Sequence, residues 1–426
     1  MKLNIVLSLL VYVAGIAINC LIAKQDNFVS IIISYSITFL GLIGCYFSFE
    51  KINGQTTLFF LTITLIPLFT LPNLSDDIYR FYWDGVLIKN GISPYSHLPS
   101  QLIQTDVIPE QLQGVFSLLN SPEYYSIYPP LNQLIFYLAS FGGSILAFTF
   151  LVKLLYVALH FVAWQGWRKY ISQDNRSLYY FANPLVIIEG IGNLHVEIVM
   201  VSLLIWTYIF FKKNQPIKTA LYLGLAVSIK LLPLMILPYL LFYYRKKYQL
   251  FTFLFTFSVV IFVCFLPLFL GLDLTNIFNS IDLYFRKFEF NASIYYLQRW
   301  LGFQLSGYNL IAYIGPLNGL ISFAIIMYFS YILAKKKDDS FFQIGYIAFM
   351  IYLLLSPIIH PWYIMTPLLF SINLRHWHVI AWSYLAILSY AHYHEGRFTE
   401  RYWLLFLEYG LLCTIYLLEK KFVVNS

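Results

Sequence analysis

From Phe251 to Leu270 the chain reads FTFLFTFSVVIFVCFLPLFL, twenty residues without a charge. A helix needs about 20 such residues to cross the hydrocarbon layer of a bilayer. Similar runs recur along the whole sequence. In lipid every backbone N–H and C=O must be satisfied internally, so spanning segments are helices or closed barrels. The alternation of apolar and polar residues that marks a barrel strand is absent. The sequence therefore predicts an all-α, polytopic transmembrane bundle of about 12–14 spans. Charge content agrees: 11% of the residues are charged, against about 25% in a soluble domain.

Basic residues report orientation, because they collect on the cytoplasmic side. They group at Arg168-Lys169, Lys212-Lys213, Arg245 to Lys247, Lys335 to Lys337 and Lys420-Lys421, with Lys2 at the start. This grouping accounts for the net charge of +7 without any nucleic acid partner. Spans are expected near 3–23, 28–49, 56–71, 144–165, 178–190, 195–211, 250–271, 308–333, 341–358, 362–374, 377–394 and 401–418. Segment 217–244 reads as a hairpin of half-helices broken at Lys230 to Pro233. Segment 129–142 reads as re-entrant or paired with 144–165. No linker divides the chain, so residues 1–426 read as one membrane domain. Residues 72–128 form its first external loop, which carries short helices. That loop holds six acids against one Arg and one Lys. The first apolar segment lacks a small-residue cleavage site and reads as a retained helix. Cys20, Cys45, Cys264 and Cys413 are scattered singly and read as buried thiols.

Six polar clusters then fall on the external side. They are SDDIYRFYWDG from Ser75, YSIYPPLNQ from Tyr125, NPLVIIEGIGNLHVE from Asn183, Lys230 at its break, FRKFEFNASIYYLQRW from Phe285, and SPIIHPWY from Ser356. Each has a plain reading. Asp76 and Asp77 could be a solvated helix cap, His195 and Glu197 a satisfied pair, Lys230 a snorkelling amine, and HPWY a helix break. Asn291 begins an N-A-S sequon, a weak three-residue pattern. Their joint placement favours function, since ionisable groups at membrane depth are costly and usually retained for a role. One-sided clustering suits a pocket at the outer leaflet better than a transport site near the midplane.

The residue types suggest group transfer. A carboxylate within hydrogen-bond reach of an acceptor hydroxyl takes its proton as general base. Adjacent acids raise each other's proton affinity, and Arg80, one helical turn on, could hold Asp77 ionised. Lys230, Arg286, Lys287 and Arg299 suit phosphate oxygens. Tyr79, Trp83, Tyr128, Tyr295, Trp362 and Tyr363 offer flat surfaces for sugar rings or an isoprenoid chain. Without a glycine-rich phosphate loop, a nucleotide-sugar donor is disfavoured. These parts imply sugar transfer from a lipid-phosphate carrier.

The ordered series SDDIYRFYWDGVLIKNGISPY, YPPLNQLIF, NPLVIIEGIGNLHVE, GLAVSIKLLPLMILP, FNASIYYL and LLLSPIIHPWY resembles the GT-C superfamily of integral-membrane glycosyltransferases. It looks most like the bacterial and archaeal mannosyltransferase-type branch that uses polyprenyl-phosphate sugars. The resemblance implies an acidic base in the first external loop, hence Asp77 or Asp76, with Asp77 preferred. It places Arg80, Trp83, Asp84 and Tyr128 around the substrate, and Asn193, His195 and Glu197 beside a sugar. Lys230 would meet the donor phosphate, and Asn291, Tyr295, His360, Trp362 and Tyr363 would complete the substrate shell. The chemistry implied is an inverting single displacement from a β-linked donor to a glycan or glycolipid acceptor. The location implied is a bacterial inner (plasma) membrane, among membrane lipids, with the site on its extracytoplasmic face. Family members often carry a soluble tail domain; here the sequence stops at Ser426, so acceptor recognition is expected within the membrane domain. No metal-ligand set is evident, and a divalent cation (Mg2+ or Mn2+) at the acidic pair stays open. Two other classes compete: a transporter or flippase of a lipid-linked sugar, which needs an inward route, and a non-catalytic scaffold, which would tolerate loss of the acidic pair.

Overall fold

The computed structural model describes residues 2–49, 54–270, 275–276, 288–336, 338–394 and 397–425. The helices are α1 (Lys2–Leu21), α2 (Phe28–Ser48), α3 (Gly54–Leu68), α4 (Asp77–Lys89), α5 (Pro99–Leu102), α6 (Glu110–Phe116), α7 (Pro130–Ser140), α8 (Ile145–Tyr170) and α9 (Leu178–Phe181). They continue with α10 (Glu197–Lys212), α11 (Pro216–Ile229), α12 (Leu237–Tyr243), α13 (Lys247–Leu270), α14 (Ile294–Ser306), α15 (Ile311–Lys335), α16 (Phe341–Leu355), α17 (Met365–Leu374), α18 (Trp377–Leu385) and α19 (Tyr402–Asn425). The only extended pairing between named strands, among the described residues, joins β1 (Tyr393–His394) to β2 (Arg397–Phe398). The protein is a polytopic helical bundle, as its apolar runs require.

The spans are less regular than the sequence suggests. Among the described residues, α2, α8, α13, α15 and α19 each contain a stretch long and apolar enough to cross a membrane, and five shorter apolar helices of 10–17 residues accompany them. Where straight spans are expected at 178–190 and 195–211, the chain instead forms α9, a π-helical turn from Val186 to Gly192, and α10, with a bend of 112° between the turn and α10. Every residue from Ser177 to Val201 is buried. Irregular backbone is tolerated at such depth only where protein covers it, and here other helices do. The expected spans 362–374 and 377–394 likewise begin or end in 3-10 turns, at Pro361–Ile364 and Ala386–His392.

The break at Lys230 is present, with extended φ −154° and ψ 138°. The two halves do not close into a hairpin, however: α11 packs on α10 and α13, whereas α12 packs on α15. Segment 129–142 becomes the short helix α7, wedged against α4, α8 and α11. Gly85 makes the α4–α7 approach feasible, since a Cβ there would sit 2.3 Å from the Phe136 carbonyl oxygen. One continuous hydrophobic core runs from Tyr12 to Leu412. Lys153 on α8 is fully buried and donates to the Pro67 and Thr70 carbonyls at 2.8 and 2.6 Å. A helix leaves its last carbonyls unpaired, so this amine closes the end of α3 just before the acidic segment. Of the cysteines, Cys20 and Cys45 are buried as expected, Cys264 is half-buried, and Cys413 is exposed on α19.

Candidate active site

The acidic segment is held by its neighbours upstream, not by the two acids themselves. The Asn73 side-chain amide donates to the Asn19 and Ala23 carbonyls at 2.5 and 2.7 Å. The backbone N–H groups of Asn73 and Leu74 donate to Asn193 Oδ1 at 3.2 and 3.0 Å. Asp76 then occupies the N-cap position of α4, yet its carboxylate makes no capping bond. The Asp77 N–H instead turns to Ser75 Oγ, at 3.3 Å. Asp76 is exposed and Asp77 half-buried. Asp77 Oδ1 accepts from Asn120 Nδ2 at 3.1 Å. Partial burial, and then the neighbouring Asp77 charge, raise the Asp76 carboxyl above its ordinary range. Tyr393, in β1, lies near enough to feel both charges.

One turn on, the chemistry differs. Arg80 does not reach back to Asp77: its Nε donates to Asp84 Oδ1 at 2.8 Å, and its Nη1 to the Ser121 and Tyr124 carbonyls at 3.1 and 2.9 Å. Asp84 Oδ2 accepts from Ser126 Oγ at 2.5 Å and Gln133 Nε2 at 2.8 Å. Arg80 and Asp84 are buried, as is Trp83, which packs near Phe116. Arg80 and Asp84, expected in the substrate shell, form a buried brace between α4, the loop at 121–126 and α7, with Trp83 buried on the same helix. Tyr128 stands edge-on to Phe81 with ring centres 4.8 Å apart.

Glu189, in the π-helical turn, ties the remaining clusters together. It is fully buried. Its Oε1 accepts from the Tyr35 and Tyr390 hydroxyls at 2.8 and 3.0 Å. Its Oε2 accepts from Asn193 Nδ2 at 3.3 Å and lies 3.4 Å from His195 Nε2. Leu194 stands between those two residues with a left-handed φ of 63°, a conformation costing roughly 1–2 kcal/mol for an L-residue. That turn sends Asn193 to the acidic segment and His195 to the aromatic residues of the 360s. His195 stacks on Trp362 with ring centres 3.5 Å apart, Trp362 on His360 at 4.4 Å, and His360 on Phe290 at 4.6 Å. Beside this stack, Lys230 donates to Glu197 and sits 4.2 Å from the centre of the Tyr363 ring. Asn132 on α7 donates to the Ile229 carbonyl at 2.7 Å, fixing the chain at the break.

A family model described as alpha-(1->6)-mannopyranosyltransferase, N-terminal domain, matches residues 29–245, just over half of the chain. The chain belongs to that family. It is therefore a mannosyltransferase of the GT-C type and an integral membrane glycosyltransferase. Neither a curated protein nor a solved structure matches it.

The matched part of this mannosyltransferase contains the acidic pair, the buried brace, Tyr128, the Asn193–Glu197 turn and Lys230, while His360, Trp362 and Tyr363 reach the same network from beyond it. Two other candidates lie elsewhere. Asn291 is buried, with its amide 3.2 Å from Glu408 Oε2. Tyr295 is buried and donates to Glu289. Arg299, read above as a phosphate cation, is already paired with both Glu289 and Glu400. Arg286 and Lys287 lie outside the described residues. Sequence reasoning also passed over Glu189, Asn73, Gln133 and Tyr390. Glu189 left a signal, a lone carboxylate within NPLVIIEGIGNLHVE; Tyr390 left none, because its role depends on a contact 201 residues away in sequence.

Proposed function

We propose that this mannosyltransferase moves a mannosyl group from a polyprenyl-phosphate donor to a hydroxyl of a glycan or glycolipid acceptor at the outer leaflet, with inversion. Asp77 takes the proton from the acceptor hydroxyl. The freed oxygen attacks the anomeric carbon. The bond from that carbon to the phosphate oxygen breaks, and polyprenyl phosphate leaves with the electron pair. Asp76 holds the acceptor beside Asp77. Lys230 meets the phosphate of the donor, and the flat faces of Trp362 and His360 line the sugar or the first isoprene units. Two carboxylates and one already engaged amide are few ligands for Mg2+ or Mn2+, which favour six oxygens. A cation at the pair would take the rest from donor phosphate and water.

The observation that carries this reading is the Asp76-Asp77 pair, with Asp76 exposed and capping nothing and Asp77 half-buried and lightly bonded. The pair is pinned through Asn193 to the Glu189 hub, which His195 also meets and beside which Trp362 stacks. General-base catalysis contributes about 10²–10⁴-fold. Purified protein supplied with polyprenyl-phospho-mannose and a lipid-linked glycan should lose turnover by that factor in Asp77→Asn. Undiminished transfer in both Asp76→Asn and Asp77→Asn would sink the assignment. Chelation followed by Mg2+ or Mn2+ re-addition decides the cation. The face is read by labelling Gln113→Cys, in a Cys413→Ser background, with a membrane-impermeant thiol reagent. Protection in intact cells contradicts an outer site.

A further inference from the structure

A second cluster of ligand-type side chains lies at the other end of the bundle. α17 leads away from the Trp362 turn, and the chain returns along α18 toward Tyr393, so the turn between them is remote from the acidic pair. That turn carries His376 and His378. Their Nδ1 atoms lie 2.8 Å from Glu419 Oε1 and Oε2 respectively, with Glu419 supplied by α19. One donor atom from each of the three residues falls within 4.8 Å of the others. His378 is buried, and its second ring nitrogen meets the Tyr346 hydroxyl at 2.8 Å. The Tyr346 ring also packs 4.3 Å from that of His376. Two imidazoles and a carboxylate form a recurrent zinc ligand set that leaves a fourth position open. A hydroxyl bonded to the far nitrogen of a ligating histidine orients the ring, as outer-shell partners of metal sites do.

We propose that His376, His378 and Glu419 bind one divalent ion of the zinc class, which staples α19 to the α17–α18 turn. Metal–nitrogen and metal–oxygen distances of about 2.0–2.2 Å in a tetrahedron put ligand atoms roughly 3.3–3.5 Å apart. The carboxylate therefore withdraws by only about half an ångström from each ring as the ion replaces the hydrogens that now bridge them. α19 has reason to need such a staple. Only 22% of its spanning window is buried, and its main partners are α18 and the 3-10 turn after it.

Co2+ is the probe, titrated into the protein in detergent in a Cys413→Ser background. One equivalent should bind with the visible absorption of tetrahedral cobalt. His378→Ala should weaken binding at least ~10-fold, and Tyr346→Phe by about 10–100-fold, the usual cost of losing an outer-shell partner. His376→Cys should add a thiolate-to-cobalt charge-transfer band, a direct sign of ligation that a merely destabilised variant does not give. Absence of a bound equivalent in the starting protein, or a His376→Cys spectrum without that band, reduces the cluster to a hydrogen-bonded clamp and overturns the proposal. Loss of the equivalent in the Asp76→Asn, Asp77→Asn double variant, with His378→Ala unaffected, places the ion at the acidic pair and overturns it equally.

Discussion

The N-cap and first turns of α4 hold three carboxylates in nine residues, Asp76 to Asp84, and the structure treats them in opposite ways. Asp84, with Arg80, is buried and accepts from Ser126 and Gln133 as well. Asp76 is exposed and caps nothing, and Asp77 has a single side-chain amide donor among its recorded hydrogen bonds. A buried charge persists only when it is well partnered, and Asp84 commits both of its oxygens to three protein donors. A carboxylate at a helix N-terminus, kept near water and lightly bonded, retains the capacity to accept a proton. The contrast separates framework from chemistry inside one short motif.

Substitutions in α4 put that contrast at risk most directly. Asp77→Asn should lower turnover by about 10²–10⁴-fold with unchanged thermal unfolding; a fall in melting temperature of the same order as that of Asp84→Asn would erase the distinction. Asp84→Asn should do the reverse. Removing one partner of a buried pair costs about 3–5 kcal/mol, so denaturation should come early while any folded fraction keeps its donor affinity. A smaller effect belongs to Lys230→Met. Hydrogen bonds to charged groups are worth about 1.5–3 kcal/mol, so KM for the lipid donor should rise roughly 10–100-fold with kcat nearly held. Lys230→Arg should recover part of the loss. Asn193→Ala leaves the Asn73 and Leu74 N–H groups without their acceptor, at about 1–3 kcal/mol, and should loosen the acidic segment as read by faster amide exchange at residues 73–77.

The mildest test concerns pH. The folded-state Asp76 carboxyl titrates above its ordinary value, by burial first and by Asp77 second. A raised carboxyl favours the fold while protonated. Its contribution is complete below the ordinary value of about 4 and is lost as pH climbs through the raised one. Thermal stability should therefore decline slightly over that interval in the parent protein. The decline should vanish in Asp76→Asn and shrink in Asp77→Asn, which removes only the second cause.

Much of this was legible in the residues. Apolar runs of spanning length fix a helical membrane bundle, because lipid leaves the backbone no other partners. The acidic pair, Asn193, His195, Lys230 and Trp362 stand out as polar groups where polarity is expensive. What the sequence could not show is which of those groups are spent on one another. Arg80 sits one turn from Asp77 and one turn from Asp84 alike, and only the burial of the 121–126 loop and α7 against α4 selects Asp84. Arg299 looks like a free cation until Glu400, 101 residues on, closes over it. Tyr390 reaches Glu189, and Glu419 reaches His376 and His378, only after the chain has folded back on itself. Local patterning thus determined the solvent, the element type and the roster of polar groups. The pairing of those groups depends on distances between segments far apart in the chain, and only the packed tertiary structure sets those.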